Sequence, residues 1–551
     1  MSLAVLIPDD IMAKIIRYCV GPPCTDLYMW KTKFALLQVC SAWTRVAQPL
    51  VYSEAFFECY VRDSKALNNM HIAPLEGAPE DQKWVSNLDF IAQNGKQHMV
   101  RRLSLKLATS AGSTVFFGTV LEQLVRFSGE WPSIDSLIIN MSRQFTQTTE
   151  DESEKETQVA RQYARVMPNL TSIGADCGTD VHSHILGEIA GNYTKQLAHL
   201  ALLDTVSIKN VAEFSPSLTS LTIRLGCPET QTLPRIPAHS LKRLAIRGAA
   251  EHFTWKHFEA DSSAGRTLRF DKLEELNVFF STDTVSQLPM QLCPQTQANG
   301  SWETQALKFP KLKRLFLGNC FMESCNLLLA KEYECPLERL QFNGSLGAAR
   351  SLAESQFCEI ESCHIEIIST DAGEAKNDPS EFYRTTNKLF GDCISAAKHA
   401  GLALHPLGFE LDVDQLWWPH LTSLSLYQPI QFADLLKLIP ALPRLDFLEL
   451  GSVVLDGFFA TESDYMDFQA RIEADMNAPF DSRINVLSLC CAIGDCPVNV
   501  AATAAGYLML RLTGLKELLV NYFFEEFLEM FADQFADDFE HLEDLSIKAI
   551  Y

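Results

Sequence analysis

One six-residue spacing recurs along this chain and leaves its fold little freedom. Leu312-Lys-Arg-Leu315-Phe-Leu317, Leu273-Glu-Glu-Leu276-Asn-Val278, Leu337-Glu-Arg-Leu340-Gln-Phe342 and Leu421-Thr-Ser-Leu424-Ser-Leu426 all read apolar, two variable, apolar, one variable, apolar. The last four positions of each copy alternate as a half-buried strand requires. One copy cannot bury its own leucines, whereas stacked copies can, so the spacing predicts a solenoid.

Further copies begin at Val100, Ile134, Leu170, Leu197, Leu218 and Leu241, then at Leu445, Ile484, Leu515 and Leu542, with a weak copy at Ile360. The intervals are uneven: Leu218 to Leu241 is 23 residues, while Leu273 to Leu312 is 39. The longer intervals must carry helices or loops, and Phe432–Ile439 and Phe523–Phe535 read as helices. Proline stands two residues ahead of several copies, at Pro310, Pro419 and Pro443, where it does not interrupt a paired ladder. Strand, helix, strand with parallel pairing gives an α/β fold: a curved solenoid with parallel strands on its concave face and helices on its convex face.

Elsewhere the pattern is weaker. Trp84–Ile91 reads as helical and Asn68–Asp81 as loop. The charged stretch Gln147–Gln158 reads as a mobile loop or an N-terminal extension of a helix. Ser369–Tyr383 reads as a surface excursion leading into a helix through Ala400. Nine carboxylates against one lysine between Asn521 and Tyr551 read as a solvated face, and the final strand needs a cover, from the acidic helix before it or from a partner.

The first sixty residues differ in kind. Ile7-Pro-Asp-Asp followed by Ile11, Ile15 and Ile16 reads as a helix start, with Pro8 ahead of the first turn and two aspartates at its positive end. A second helical stretch runs from about Leu27 to Gln48 and is closed by Pro49-Leu-Val-Tyr52. Leu6-Ile-Pro-Asp-Asp-Ile11, Leu36-Leu37-Gln-Val39-Cys40-Ser-Ala-Trp43 and Pro49-Leu50-Val-Tyr52 together resemble an F-box. In particular they resemble the F-box-like segments of fungal proteins that continue into irregular leucine-rich repeats.

The resemblance implies a small all-α module that docks its apolar faces onto a Skp-type adaptor of a cullin-based ubiquitin ligase. Carried over residue by residue, the docking set is Ile7, Pro8, Ile11, Ile15, Leu36, Leu37, Val39 and Trp43. The segment Cys19–Lys33 is longer than the family's usual break between the first two helices. The domain expectation is an F-box-like module over 1–55, a linker or N-terminal cap over 56–99 and irregular leucine-rich repeats over 100–551. The alternative is a repeat scaffold whose N-terminal helices only cap the solenoid.

The chain's 551 residues are 47% hydrophobic and 21% charged, which supports an extensive core. A net charge of -23, from 69 acidic against 46 basic residues, disfavours nucleic acid and anionic membranes as partners. No secretory signal and no membrane-length apolar run is evident, so a cytoplasmic or nuclear protein is expected, its 16 cysteines reduced. No phosphate-binding loop, zinc signature or nucleophile elbow occurs, so no catalytic residue, metal or cofactor is expected. His182 and His184 read as a strand pair without a third ligand, and His252 and His257 as packing residues of a helix.

The remaining signal lies at the third, fifth and seventh positions of each copy, which face the concave side. They place Arg224, Arg243, Arg247, Arg314 and Arg339 there, with Phe279, Phe316, Asn343 and Tyr427 beside them. Arginines interleaved with aromatics on a rigid surface suit an acidic or phosphorylated segment of a protein substrate.

Overall fold

The computed structural model describes residues 11, 14–15, 35–39, 41–61, 73–74, 82–107, 113–141, 150–177, 184–202, 214–225, 236–248, 267–280, 306–320, 337–355, 357, 359–368, 379–393, 396–405, 418–455, 467, 470, 478–489, 498–535 and 539–550. The chain divides into two compact units, Met1–Ser263 and Ala264–Tyr551. Both are α/β, built on sheets that are mostly parallel.

In the first unit a 3-10 turn at Leu36–Gln38 precedes α1 (Ser41–Val51). Strand β1 (Glu54–Val61) follows at once, then β2 (Ala73–Pro74), β3 (Gln82–Ser86) and helix α2 (Leu88–Gln93). From there strands alternate with helices: β4 (Arg102–Leu107), α3 (Ser113–Ser128), β5 (Ser136–Met141), α4 (Glu150–Val166), β6 (Ser172–Cys177), α5 (His184–Gly191) and β7 (His199–Leu202). Strands β8 (Ser220–Leu225) and β9 (Arg243–Gly248) complete the series. Strands β4 to β9 pair in chain order, each parallel to the next and in register.

Strand β1 lies between β4, to which it is parallel, and β3, to which it is antiparallel. The outer edge of the parallel series is thus taken by β3, and the buried Asn87 secures the join. Its amide accepts from the Phe56 N–H at 2.8 Å and donates to the Glu54 carbonyl at 3.0 Å.

The apolar positions of the six-residue spacing all point one way. Val100, Leu103 and Leu105, Ile134, Leu137 and Ile139, and Leu241, Leu244 and Ile246 are each at most 2% exposed. Beside them an aromatic chain crosses from sheet to helices. Phe57 stacks on Trp84 and meets Phe116 edge-on, Phe116 meets Phe117, and Phe117 meets Tyr163. The Tyr163 hydroxyl donates to the Phe117 carbonyl at 3.0 Å, and the Trp131 indole donates to the Leu124 carbonyl at 2.9 Å, so neither polar tip is buried without a partner. Burial pushes the Tyr163 and Tyr193 phenols well above their usual range.

The second unit repeats the scheme. A two-stranded sheet of β10 (Thr267–Arg269) and β12 (Ala306–Lys308) flanks β11 (Glu275–Phe280) in sequence. The main series continues through β13 (Arg314–Cys320), β14 (Leu337–Gly344), β15 (Ile360–Ile368), β16 (His399–His405), β17 (Ser423–Gln431) and β18 (Phe447–Val454). It ends with β19 (Val486–Leu489), β20 (Glu517–Asn521) and β21 (Ser546–Ile550). From β11 and β13 onward each strand is parallel to its predecessor. Helices α6 (Leu346–Ala353), α7 (Pro379–Lys388), α8 (Phe432–Ala441), α9 (Val498–Arg511) and α10 (Tyr522–Phe535) fill the connections. Helix α10 is the acidic one, and its Glu525 carboxylate accepts from the Ala549 N–H of β21 at 3.0 Å, covering one donor of that strand.

Every expected copy of the spacing among the described residues is a strand, including the weak one at Ile360. Other expectations are corrected. Trp84 stands in strand β3, and the helix starts only at Leu88, because Phe57 takes the Trp84 ring across the strand pair. Helix α7 runs on from Lys388 as a π-helical stretch to Cys393 and not through Ala400, and Ala397-Lys-His-Ala400-Gly-Leu402 is a full copy of the spacing with alanines in two apolar places. Ala397, Ala400 and Leu402 are buried like their leucine counterparts. Tyr52-Ser-Glu-Ala55-Phe-Phe57 is another, and it carries β1.

Pro49 does not end the second helix but sits inside the last turn of α1, where it removes a single intrahelical bond. His184 opens α5 rather than lying in a strand, since Ile185, Leu186, Ile189 and Ala190 are buried at helical spacing. Of the charged stretch, Glu150 to Gln158 forms the first turns of α4. His182, His252, His257 and the stretch 369–378 lie outside the described residues.

Leu424 is fully buried in β17 between Ala400 and Leu448 on its neighbours. Leu424→Ala is expected to lower the free energy of urea unfolding by ~2–5 kcal/mol. Ser423→Ala, one position earlier and only half-buried, should change it by less than about 0.5 kcal/mol.

Candidate functional site

Two surfaces answer to the sequence-derived candidates: the apolar N-terminal module and the open face of the sheets. In the module, Ala47 and Val51 of α1 form a buried pair against which Leu36, Leu37, Trp43, Val46 and Leu50 pack. The Thr44 hydroxyl ties α1 back to the Leu37 carbonyl at 2.7 Å. Leu36, Leu37 and Trp43 are therefore partly consumed by the module's own packing. Ile11, Ile15 and Val39 are 42%, 38% and 57% exposed and remain available. Ile7 and Pro8 lie outside the described residues.

The open face consists of the third, fifth and seventh positions of each strand copy. In the first unit the third positions form the row Glu54, Arg102, Ser136, Ser172, His199, Ser220, Arg243. Arg102 contacts Glu54 at 3.2 Å. Arg243 and Arg247 are both exposed on β9, and the register sets Arg224 of β8 beside Arg247. A groove of about 530 Å³ lies across these strands, with Arg102 and Arg247 among its lining residues.

In the second unit the register sets Arg314 beside Arg339, Phe316 beside Gln341, and Asn343 beside Glu366. Arg314 lies 3.4 Å from Glu275, and the Arg339 guanidinium sits 5.7 Å from the Phe316 ring centre. Asn343 donates to Glu366 at 2.5 Å and accepts from the Asn319 N–H at 3.3 Å. Asn319 has a φ of 55° where β13 is irregular between Leu317 and Cys320, a conformation asparagine tolerates better than most residues. Tyr427 belongs to a different cluster: its hydroxyl contacts Glu449 at 3.2 Å, and its ring faces His364 at 5.7 Å.

The structure thus joins Arg314, Phe316 and Arg339 into one group and places Tyr427 apart from them. It also adds the carboxylate of Glu366, which the sequence reading missed although it stands at the seventh position of its copy, where strand alternation carried the signal.

Glycine has a specific use on this face. A Cβ on Gly318 would lie 2.3 Å from Phe279, and one on Gly401 would lie 2.3 Å from His364. Phe279, 46% exposed, therefore rests in the space left by Gly318, and the His364 imidazole in that left by Gly401. Burial lowers the pKa of His364 below its usual value, Glu366 raises it in part, and Arg339 lowers it further.

Among the described residues no group of three or more His, Cys, Asp or Glu side chains is placed to hold a metal ion. No described helix is long and apolar enough to cross a membrane.

No protein-family model matches the chain, and no curated protein matches it. Among solved structures it is similar to a Bacteroides fragilis structural-genomics target at 12% identity and a TM-score of 0.27, over 66% of this chain and 78% of that one. It is also similar to a chain from the crystal structure of the yeast Rad7 and Elc1 complex at 12% identity and a TM-score of 0.28, over 91% of this chain and 94% of that one. With TM-scores this low, the functional reading rests on this chain's own residues.

The depressed pKa of His364 gives a pH prediction with a definite sign. Between the ordinary histidine pKa and the lower folded value, the unfolded chain binds a proton that the folded chain does not, so stability falls as pH falls through that window. Urea unfolding midpoints measured at pH 7.5 and pH 5.5 should differ less for His364→Gln than for the parent chain.

Proposed function

We propose that this chain is a non-catalytic substrate-recognition subunit of a Skp–cullin–F-box type ubiquitin ligase, working in the cytoplasm or nucleus. The N-terminal module docks on the adaptor. The parallel sheets form the concave surface of a curved leucine-rich-repeat solenoid, and that surface holds the protein to be ubiquitinated. The chain performs no bond chemistry; it raises the effective concentration of its target beside the ligase.

The observation that carries this reading is the exposure of Ile11, Ile15 and Val39 on a helical module that the sheet does not need as a cover. The outer edge of β1 is paired with β3, which supports a docking role for these helices over the capping role of the scaffold alternative. Exposed aliphatic side chains cost solubility and stand out when grouped on one small module. On the target side, Arg243, Arg247, Arg314 and Arg339 are exposed on the open faces of a chain whose net charge is -23. An acidic or phosphorylated partner fits them.

The test is a binding titration of the full chain against a Skp-type adaptor. Submicromolar binding is expected for the parent chain, weakened at least about tenfold by Ile11→Asp/Ile15→Asp with unchanged thermal unfolding. A tenfold loss corresponds to about 1.4 kcal/mol. A well-folded parent chain that does not bind would leave a repeat scaffold.

A further inference from the structure

Two aligned turns at the start of the second unit bring four cations together, away from the open face. Strands β10 and β12 set Arg269 beside Lys308, and β11 and β13 set Glu275 beside Arg314. Both pairs are 39 residues apart (269 to 308, 275 to 314), so Lys272 stands level with Lys311. The turns are built alike: the Leu273 N–H donates to the Phe270 carbonyl at 3.4 Å, and the Leu312 N–H to the Phe309 carbonyl at 3.3 Å. The buried, stacked rings of Phe270 and Phe309 hold them together. Arg269, Lys272, Lys308 and Lys311 are all exposed. Neighbouring strands lie about 4.8 Å apart, and like charges side by side at that spacing disfavour each other.

The carboxylates of this stretch are already engaged. Asp271 holds Arg269, Glu275 meets Arg314 at 3.4 Å, and Glu338 meets Lys313 at 2.6 Å with Glu274 acting on the same lysine. Lys272 and Lys311 form no ion pair among the described residues.

The complement of this quartet lies on α10. Glu526, Glu529 and Asp533 share one exposed face of the helix, with Met530 among them 68% exposed. The other side is anchored by the buried Leu528 and Ala532 and by the bond from the Ala549 N–H to Glu525. None of the three carboxylates forms an ion pair among the described residues. The last turn of α10 has no basic residue and carries Asp533, where the helix dipole favours a cation. Like charges three and four residues apart weaken the helix further. External cations relieve both strains.

The two surfaces match in size. Glu526 to Asp533 spans about 10 Å along the helix axis, and the chain from Arg269 to Lys272 reaches at most about 11 Å. Met530 then lies over the aliphatic stems of the lysines. Within one chain the two cannot meet: α10 packs on β20 and β21, and β20 is seven strand steps from β13, about 34 Å along the sheet.

We propose that this basic quartet docks the acidic face of α10 from a second copy of the chain. A two-fold axis gives each copy both roles and closes a homodimer through two identical contacts. The inference is independent of adaptor docking and of target binding.

The test is sedimentation equilibrium of the full chain. A monomer–dimer equilibrium is expected, weakened at least about tenfold between about 50 mM and about 500 mM salt because the contacts are exposed charges. Lys272→Glu/Lys311→Glu and Glu529→Lys/Asp533→Lys should each weaken dimerisation at least about tenfold, with thermal unfolding close to that of the parent. Mixing the two variants should restore a dimer, since each reverses the surface that the other has reversed in the opposite sense. The variant with all four changes should dimerise with itself.

A parent chain still monomeric at about 100 µM, dimerisation indifferent to both double variants, or a loss that mixing does not rescue would overturn the proposal. Growth into open polymers would overturn the two-fold closure.

Discussion

Everything in both units hangs on one backbone carbonyl per repeat. In most copies the carbonyl at the second position accepts two N–H groups from the next copy, those of its second and third residues, while those of Lys313, Glu361 and Lys516 accept one. Ser53 receives Arg101 and Arg102, Arg101 receives Asp135 and Ser136, and Asp135 receives Thr171 and Ser172. The same arrangement recurs at Thr171, Ala198 and Thr219, and again at Glu274, Lys398, Thr422, Asp446 and Asn485. Several copies add a side chain to the joint: the hydroxyls of Thr219 and Thr422 also donate to it, and Asn485 donates to Asp446. Each joint fixes where the next strand begins before any side chain packs. The buried row and the open row then follow from alternation alone.

This explains why the spacing was legible and where it was not. Leucines at three positions announce a copy because each contributes about 1.5–3 kcal/mol on burial and none can be spared from the core. Ala397-Lys-His-Ala400-Gly-Leu402 and Tyr52-Ser-Glu-Ala55-Phe-Phe57 escaped because alanine gives little hydrophobic signal, although the joint accepts it equally well. Trp84 misled for a different reason. Its spacing to Leu88 and Ile91 is helical, but the stacking partner that holds it in β3 is Phe57, too far away in sequence for a local pattern to reveal.

The candidate surface was legible in its direction and not in its pairings. Alternation correctly turned Arg243, Arg247, Arg314 and Arg339 outward. It could not show that Glu275 approaches Arg314 or that Tyr427 sits with His364 and Glu449, since those contacts join strands from different repeats. The groove was harder still, because it is made by missing side chains. The signal was present as serines at third positions and Gly174 and Ala201 at fifth positions, a pattern visible only once the register between strands is known.

The carbonyl joint also separates two kinds of inheritance. Because strand placement is decided between neighbouring backbones, the connector leading from one strand to the next carries no information about register. It can be as short as the single helix α8 between β17 and β18 or as long as the stretch between β11 and β13, which carries β12. A lineage can therefore rewrite one connector at a time, altering what surrounds the open face while every strand keeps its place. Recognition in such a protein can diversify faster than its architecture, one connection at a time.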